Sequence, residues 1–535
     1  MIAILLNMIN MLRILQPSSK YVKGFKVQCC SCRTSTTIAD ARNEPPLSPD
    51  VKPFNQVPGP RGLYNIPYLG VALHFKPFSK YQPGDVNIVL DNFKQKYGDI
   101  YKIKFGPNNM VIVSHPDYAK TVLQAHYEQH KKIDFDISTI FHDRTKTTRG
   151  MVLLNGQEWA ERRKPAQEKM LRPAVVASYV PLIESVTDDF INVLRKKTEV
   201  NDLLWELLNY TTESVGMLTL NKRLGCLDTD KNNPAVVASI IRNVLDMFQE
   251  AMFMPFKSYL YFRTPFYKRF EEEMLKFGDI VNAELALQKD FLTKLQHEGK
   301  LDEYLEKEPN FMYSLLSDSR VTDDQVNSIV MDLFGAGIDS SANTLVFLLY
   351  QLAVNQDKQA KLFEEIEQVV CYSPTLTKEH LASMSYMKAC LKESHRVIFP
   401  TSAGLARVIE SDLVIGGYRF PKDTLMIINM SSMSADDRFF SQPTEFLPER
   451  WLRNTTDELA KSKEFPFAHK PFGFGPRSCI GQRFAENEIF ICLTKIIQHF
   501  KVSVPTDTHD MKTTVQLFTT PVDKVKMTFT QREKM

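Results

Sequence analysis

At 535 residues the chain can hold one large domain with a targeting segment, or two or three average domains. Its 43% hydrophobic and 24% charged content is that of a folded soluble core, and a formal net charge of +3 is too small to point to nucleic acid. Eight mostly isolated cysteines make no disulfide framework and point to a reducing compartment. Cys29, Cys30 and Cys32 lie close together but lack a second ligand pair at zinc-site spacing. Cys226, Cys371, Cys390 and Cys492 are expected to be buried, inert thiols.

The N-terminus stands apart. No Asp or Glu precedes Asp40, whereas Arg13, Lys20, Lys23, Lys26 and Arg33 are basic. Asn7, Asn10 and Arg13 recur every third residue, so a helix there carries one polar stripe in an apolar surface. Such a basic, acid-free leader reads as a mitochondrial transit peptide over residues 1–40. The rival is an endoplasmic-reticulum signal anchor, but the apolar run falls short of the ~20 residues a bilayer span needs. Residues 41–60, ending in Val57-Pro-Gly-Pro60, predict a stiff proline-rich hinge, and residues 61–535 a single catalytic domain.

Residues 99–114 alternate apolar and polar around Gly106-Pro-Asn-Asn109, which predicts a β-hairpin. Helical patterns then dominate as far as residue 395. Residues 245–266, dense in Met, Phe and Tyr, read as a core-facing helix pair with its loop, or as an apolar lid that dips into a membrane. Thr322-Asp-Asp-Gln325 is a capping box, and the periodicity after it predicts a helix ending near Val354, about 33 residues and about 50 Å long. Asp332, Asp339 and Asn343 argue against a membrane span there. Gly335 and Gly337 inside it cost about 1 kcal/mol each relative to Ala and mark a place needing close approach. Short strands are expected at residues 413–420, 501–504 and 525–529.

The chemistry concentrates near the C-terminus, in Phe472-x-x-Gly475-x-Arg477-x-Cys479-x-Gly481. Its glycines let the backbone curl round the sulfur, and the helical pattern from Gln482 puts Cys479 at a helix N-terminus that favours negative charge. Upstream lie Trp159-Ala-Glu-Arg-Arg163, the pair Asp339-Ser340, Glu393-Ser-His-Arg396 and Phe446-Leu-Pro-Glu-Arg-Trp451. Taken singly, a Glu/Arg pair at i,i+3 is usually a solvated bridge. Lys388, Lys392 and His395 share a helical face beside Glu393 and Arg396 and away from Met387, Cys390 and Leu391, a solvated basic stripe.

Together and in this order, these segments resemble the cytochrome P450 family, from Phe54 to the C-terminus. The resemblance implies a mainly α fold with small β-sheets, a triangular α-rich domain plus a β-rich lobe. It implies haem b with Cys479 as axial thiolate, with Phe472, Arg477, Trp159, Arg163 and Arg407 around it. A buried triad of Glu393, Arg396 and Arg450 would hold the cysteine loop. The implied reaction is monooxygenation of a lipophilic substrate, with Asp339 and Ser340 as the acid–alcohol pair that delivers protons. Members usually have Thr where this chain has Ser340, which keeps the hydroxyl but loses the methyl that restricts its rotamer.

Animal mitochondrial-type members carry lysines matching Lys388 and Lys392 to dock an acidic [2Fe–2S] ferredoxin, which an NADPH-dependent reductase supplies. Arg483 matches that class too, although Gln482 stands where many have a second arginine. The expectation is thus an invertebrate mitochondrial-type monooxygenase on the matrix side of the inner membrane, in peripheral contact with it, acting on a sterol, secosteroid or ecdysteroid precursor. By family position, residues 151–153, Ala336, residues 399–405 and Phe518 line the pocket. Alternatives are a mitochondrial xenobiotic oxidase, a reductase-coupled member in the endoplasmic-reticulum membrane, a thiolate-haem isomerase, and a haem sensor or carrier.

Overall fold

The apolar periodicity of residues 323–354 becomes a helix against which most of the other main helices pack. The computed structural model describes residues 50–533 except 68, 106–107, 133–134, 229–235, 255–256, 308–309, 372, 374, 402–403, 456 and 506–510. The expected leader, the first part of the hinge, and Cys29, Cys30 and Cys32 lie outside the described residues. The main helices are α1 (Gly156–Met170), α2 (Pro173–Lys196), α3 (Leu203–Leu220), α4 (Val236–Phe253), α5 (Pro265–His297), α6 (Asp323–Val354), α7 (Ser385–Val397) and α8 (Gln482–His499).

Thr322 and Gln325 close the capping box reciprocally at the start of α6, which runs for 32 residues. Residues 341–353 are all buried, so its apolarity is that of a core helix. Leu345, Leu348 and Leu352 belong to the main core together with Leu207 of α3 and Ile491 and Leu493 of α8. Each such side chain stabilises the fold by about 1.5–3 kcal/mol. Gly337 answers to a close approach, because an added Cβ would stand 3.1 Å from Val215 of α3. Gly335 does not: a Cβ there meets nothing within 4 Å.

Strands β1 (Ile100–Phe105), β2 (Asn108–Val113), β3 (Glu199–Val200), β4 (Leu405–Val408), β5 (Leu413–Ile415), β6 (Tyr418–Phe420), β7 (Leu425–Ile428), β8 (Phe500–Ser503), β9 (Thr513–Val515), β10 (Thr519–Pro521) and β11 (Met527–Gln531) form small sheets. The expected hairpin is β1–β2; β2 also runs parallel to β7, which pairs antiparallel with β4. Alternation decides the burial of that sheet on both faces. Tyr101, Ile103 and Ile112 pack on Phe75, Leu90 and Phe93, while Val111 and Val113 pack with Val57 and Phe420.

The hinge expected to end at Pro60 is docked from Lys52 onward. Lys52 N–H donates to Gly417 O and Arg419 N–H to Lys52 O, both at 2.9 Å, and Lys102 N–H reaches Pro58 O at 2.8 Å. Prolines cannot donate, but their carbonyls and the residues between them satisfy backbone groups beside β1 and β6. In the Met/Phe/Tyr-rich segment, Phe248 and Phe270 of α4 and α5 meet edge-to-face at 5.3 Å, as a core-facing pair should. Its turn nevertheless leaves Tyr261 80% and Phe262 71% exposed. Cys226, Cys390 and Cys492 are buried; Cys371 is exposed instead, because it takes φ 49° at the end of the helix Gln356–Val370 and turns off its packed face.

Glu488 of α8 is buried in the core, where burial pushes its carboxyl up to about 8, partly offset by the Ser341 and Ser214 hydroxyls. An unfolded glutamate titrates near its ordinary ~4.3, so between these values the native state holds a proton that the unfolded state has lost. Stability therefore falls as pH rises through that window. Glu488→Gln is expected to flatten the fall in Tm between about pH 5 and pH 8 and to raise Tm at the alkaline end by a few degrees. Thermal melts of the two proteins across that range check it; identical slopes would contradict it.

Candidate active site

Gly481 is the N-cap of α8, so Cys479 precedes a helix N-terminus. Gly473 and Gly475 take φ 77° and 74°, the left-handed region that glycine enters without strain. Cys479 N–H then donates to Phe472 O at 2.8 Å and Ser478 N–H to Gly475 O at 2.9 Å. Gly481 matters for space rather than twist: its φ is −82°, and an added Cβ would stand 3.9 Å from Sγ. Burial pushes the thiol pKa up, opposed by the N–H of Gly481, by Arg163 and Lys132, and by the N–H of Gln482. The side chain lies deep in the molecule yet is exposed on one side, the mark of a concave position.

Cations gather round this opening. Trp159 and Arg163 share one face of α1; Trp159 is buried, and the Arg477 guanidinium stacks 4.0 Å from its ring centroid. Arg163 donates to Ser478 O at 2.8 Å, and Arg407 of β4 to Phe474 O at 3.2 Å. Arg477 donates to His130 O, Leu154 O and Asn155 Oδ1 at 3.0, 2.7 and 3.1 Å. Burial, then Arg407 and Arg163, push Arg477 down to about 9.

Lys132, which the sequence did not single out, completes the group: burial, then Arg477, Arg407 and Arg163, push it down to about 8. Its only sequence signal was the doublet Lys131-Lys132. Among the described residues none of these four cations pairs with a carboxylate, and the counter-charge acting on Lys132 and Arg163 is Cys479. An open thiol at a helix N-terminus, ringed by buried and half-buried cations without carboxylate partners, suits an iron macrocycle bearing two carboxylates. The residues present thus fit haem.

On α6, burial pushes Asp339 up to about 6 against the pull of Arg242, and Asp246 adds to the rise. Ser340 Oγ donates back to Ala336 O at 2.6 Å, one turn earlier. A crevice here is lined by Ser340, Thr344, Phe347, Ile398, Pro400 and Phe518. Ala336 is exposed; of the other expected lining residues, 402 and 403 lie outside the described residues.

Glu393, Arg396 and Arg450 come together with fully buried side chains. Arg396 reaches both Glu393 oxygens, Nε at 3.0 Å and Nη2 at 2.8 Å, while Arg450 Nε reaches Oε1 at 3.0 Å. The sequence missed two further donors to this carboxylate, Trp451 Nε1 at 2.8 Å and Leu447 N–H at 3.0 Å. Lys392 is exposed above the Trp451 ring, Arg483 is exposed, and Lys388 is half-buried with its ammonium on Ala382 O. His395 departs from the expected basic stripe. It is buried edge-to-face against Phe472 at 5.7 Å, and burial drives its pKa down to about 4, because the cysteine loop covers the C-terminal end of α7.

The family profile of cytochrome P450 matches residues 60–529. The chain is 30% identical to a probable mitochondrial cytochrome P450 12a5 of Drosophila melanogaster, over 88% of this chain and 89% of the relative. It is 27% identical to the mitochondrial sterol 26-hydroxylase of Homo sapiens (88% and 90%) and to the mitochondrial 1,25-dihydroxyvitamin D(3) 24-hydroxylase of Mus musculus (90% and 91%).

Removing the Glu393 carboxylate strands two buried guanidinium groups. Glu393→Ala is expected to cost about 3–5 kcal/mol and to abolish haem retention, with Glu393→Gln intermediate. Thermal melts and haem-to-protein ratios check this; a Glu393→Ala protein that melts normally would contradict it.

Proposed function

The chain belongs to the cytochrome P450 family, and we propose that within it the protein is a ferredoxin-fed mitochondrial hydroxylase of a sterol-like lipid. As a family member it is a haem-thiolate monooxygenase. Haem, when bound at Cys479, supplies the two-electron activation of dioxygen that gives one oxygen atom to substrate and one to water. The chain's own residues do the rest. Cys479 would offer its sulfur, steadied by the N–H groups of Gly481 and Gln482, while Arg163, Arg407, Arg477 and Lys132 would receive the propionates. Asp339, with its carboxyl near 6, can hold and hand on a proton close to neutral pH, and the Ser340 hydroxyl beside it can relay one.

The observation that carries the electron partner is the basic set Lys388 and Lys392 on α7 and Arg483 on α8, an acidic protein's counterpart. The mitochondrial relatives support that reading and the location. The apolar residues Phe347, Ile398, Pro400 and Phe518 beside Ser340 support a lipophilic substrate, and the sterol and secosteroid named for two relatives narrow its class. Tyr261 and Phe262, exposed on the α4–α5 turn, support a peripheral contact with the inner membrane, which on this reading is made from the matrix side.

Reconstitution with a [2Fe–2S] ferredoxin, its reductase, NADPH and a panel of sterols, secosteroids and ecdysteroid precursors tests this. One labelled oxygen from labelled dioxygen should enter a product; turnover only with a diflavin reductase would overturn it. Lys388→Gln with Lys392→Gln is expected to raise the ferredoxin KM at low salt about tenfold and to flatten its salt dependence, with haem content unchanged. Unaltered kinetics at low salt would contradict the docking surface.

A further inference from the structure

Residues 149–154 form a strap held from three sides. Arg477 of the cysteine loop donates to Leu154 O at 2.7 Å, and Arg162 of α1 donates to Arg149 O at 3.2 Å. Arg162 also donates to Ser328 Oγ of α6 at 2.8 Å. The third hold is Asp332 of α6, which accepts from Val152 N–H at 3.2 Å and also from the N–H of Met151. Gly150 makes this possible: a Cβ there would stand 2.2 Å from Asp332 Oδ1, so the carboxylate occupies the space a side chain would fill. The strap thus ties the cysteine loop to the helix that carries Asp339 and Ser340.

We infer that Asp332 is a positioning residue that, through Gly150 and the N–H groups of Met151 and Val152, sets the strap as a wall of the substrate pocket and so sets which bulky ligands fit. Its chemistry matches the task. Burial pushes the carboxyl up to about 7, against the two backbone N–H groups and Arg162, so a group kept here at the expense of its charge is tied to this strap. Asp332 is half-buried, yet its carboxylate fills the space beside Gly150 and accepts from two strap N–H groups, so it fixes where the strap can lie. The inference does not depend on the proposed electron donor or sterol substrate, only on haem at Cys479.

The test uses the haem-loaded protein and two iron-binding probes, clotrimazole and imidazole, followed by their Soret shifts. Clotrimazole is bulky and imidazole small, so on this proposal a displaced strap is felt by the first and not by the second. Asp332→Ala is expected to raise the clotrimazole Kd about tenfold and leave the imidazole Kd unchanged. Gly150→Ala should do the same by displacing the carboxylate, and Gly150→Ala in the Asp332→Ala background should add nothing further. Should Asp332→Ala load haem poorly, Asp332→Asn, which keeps the volume and one acceptor, decides with a rise of about threefold. An unchanged clotrimazole Kd, an equal loss for both probes, or additive single effects would overturn the proposal. Failure of imidazole to shift the wild-type Soret band would instead indict the haem site itself.

Discussion

Four cations gather around one thiol, Arg407 and Arg477 buried and Lys132 and Arg163 half-buried, and none of them pairs with a carboxylate among the described residues. Burial lowers the pKa of each; the three arginines also push on Lys132, and Arg407 and Arg163 on Arg477. Left alone this would be among the costliest features of the fold, since unpaired buried charge is worth several kcal/mol per ion. The surrounding elements are arranged to hold it. Carbonyls of His130, Leu154, Ser478 and Phe474 accept from the guanidinium groups, and the Trp159 ring takes the face of Arg477. A cofactor with two carboxylates and a cationic metal for the sulfur resolves both halves of the imbalance.

The rest of the interior treats charge in two further ways. Beneath the cysteine loop, Glu393 accepts from two arginines, an indole and a backbone N–H, a network in which both carboxylate oxygens have donors. Along α6 and α8 the opposite holds: Asp332, Asp339 and Glu488 are enclosed without full pairing, and burial raises all three. One side of the molecule is a fixed electrostatic frame, the other a set of acids able to change protonation. That division suits a site that must hold a thiolate rigidly and pass protons opposite it.

How much was legible in the sequence depended on whether the signal was local. The capping box at Thr322, the β1–β2 hairpin and the cysteine loop are dictated by neighbouring residues, and all could be read. The Glu393 triad was legible only through family likeness, because i,i+3 spacing is the same for a surface bridge and a buried one. Lys132, Asp332 and Trp451 were not legible, since each acts across more than a dozen residues on partners that only the fold brings near. Periodicity also misjudged His395: its helical face is right, but the loop that covers that face comes from residue 472.

The account stands on Cys479 as the iron ligand, and the reduced-protein CO difference spectrum addresses it most directly. The wild-type protein is predicted to give the red-shifted Soret band of a thiolate-ligated iron, and Cys479→His to lose that shift while still binding haem. A wild-type band without the shift, in protein that is folded and haem-loaded, would contradict the account.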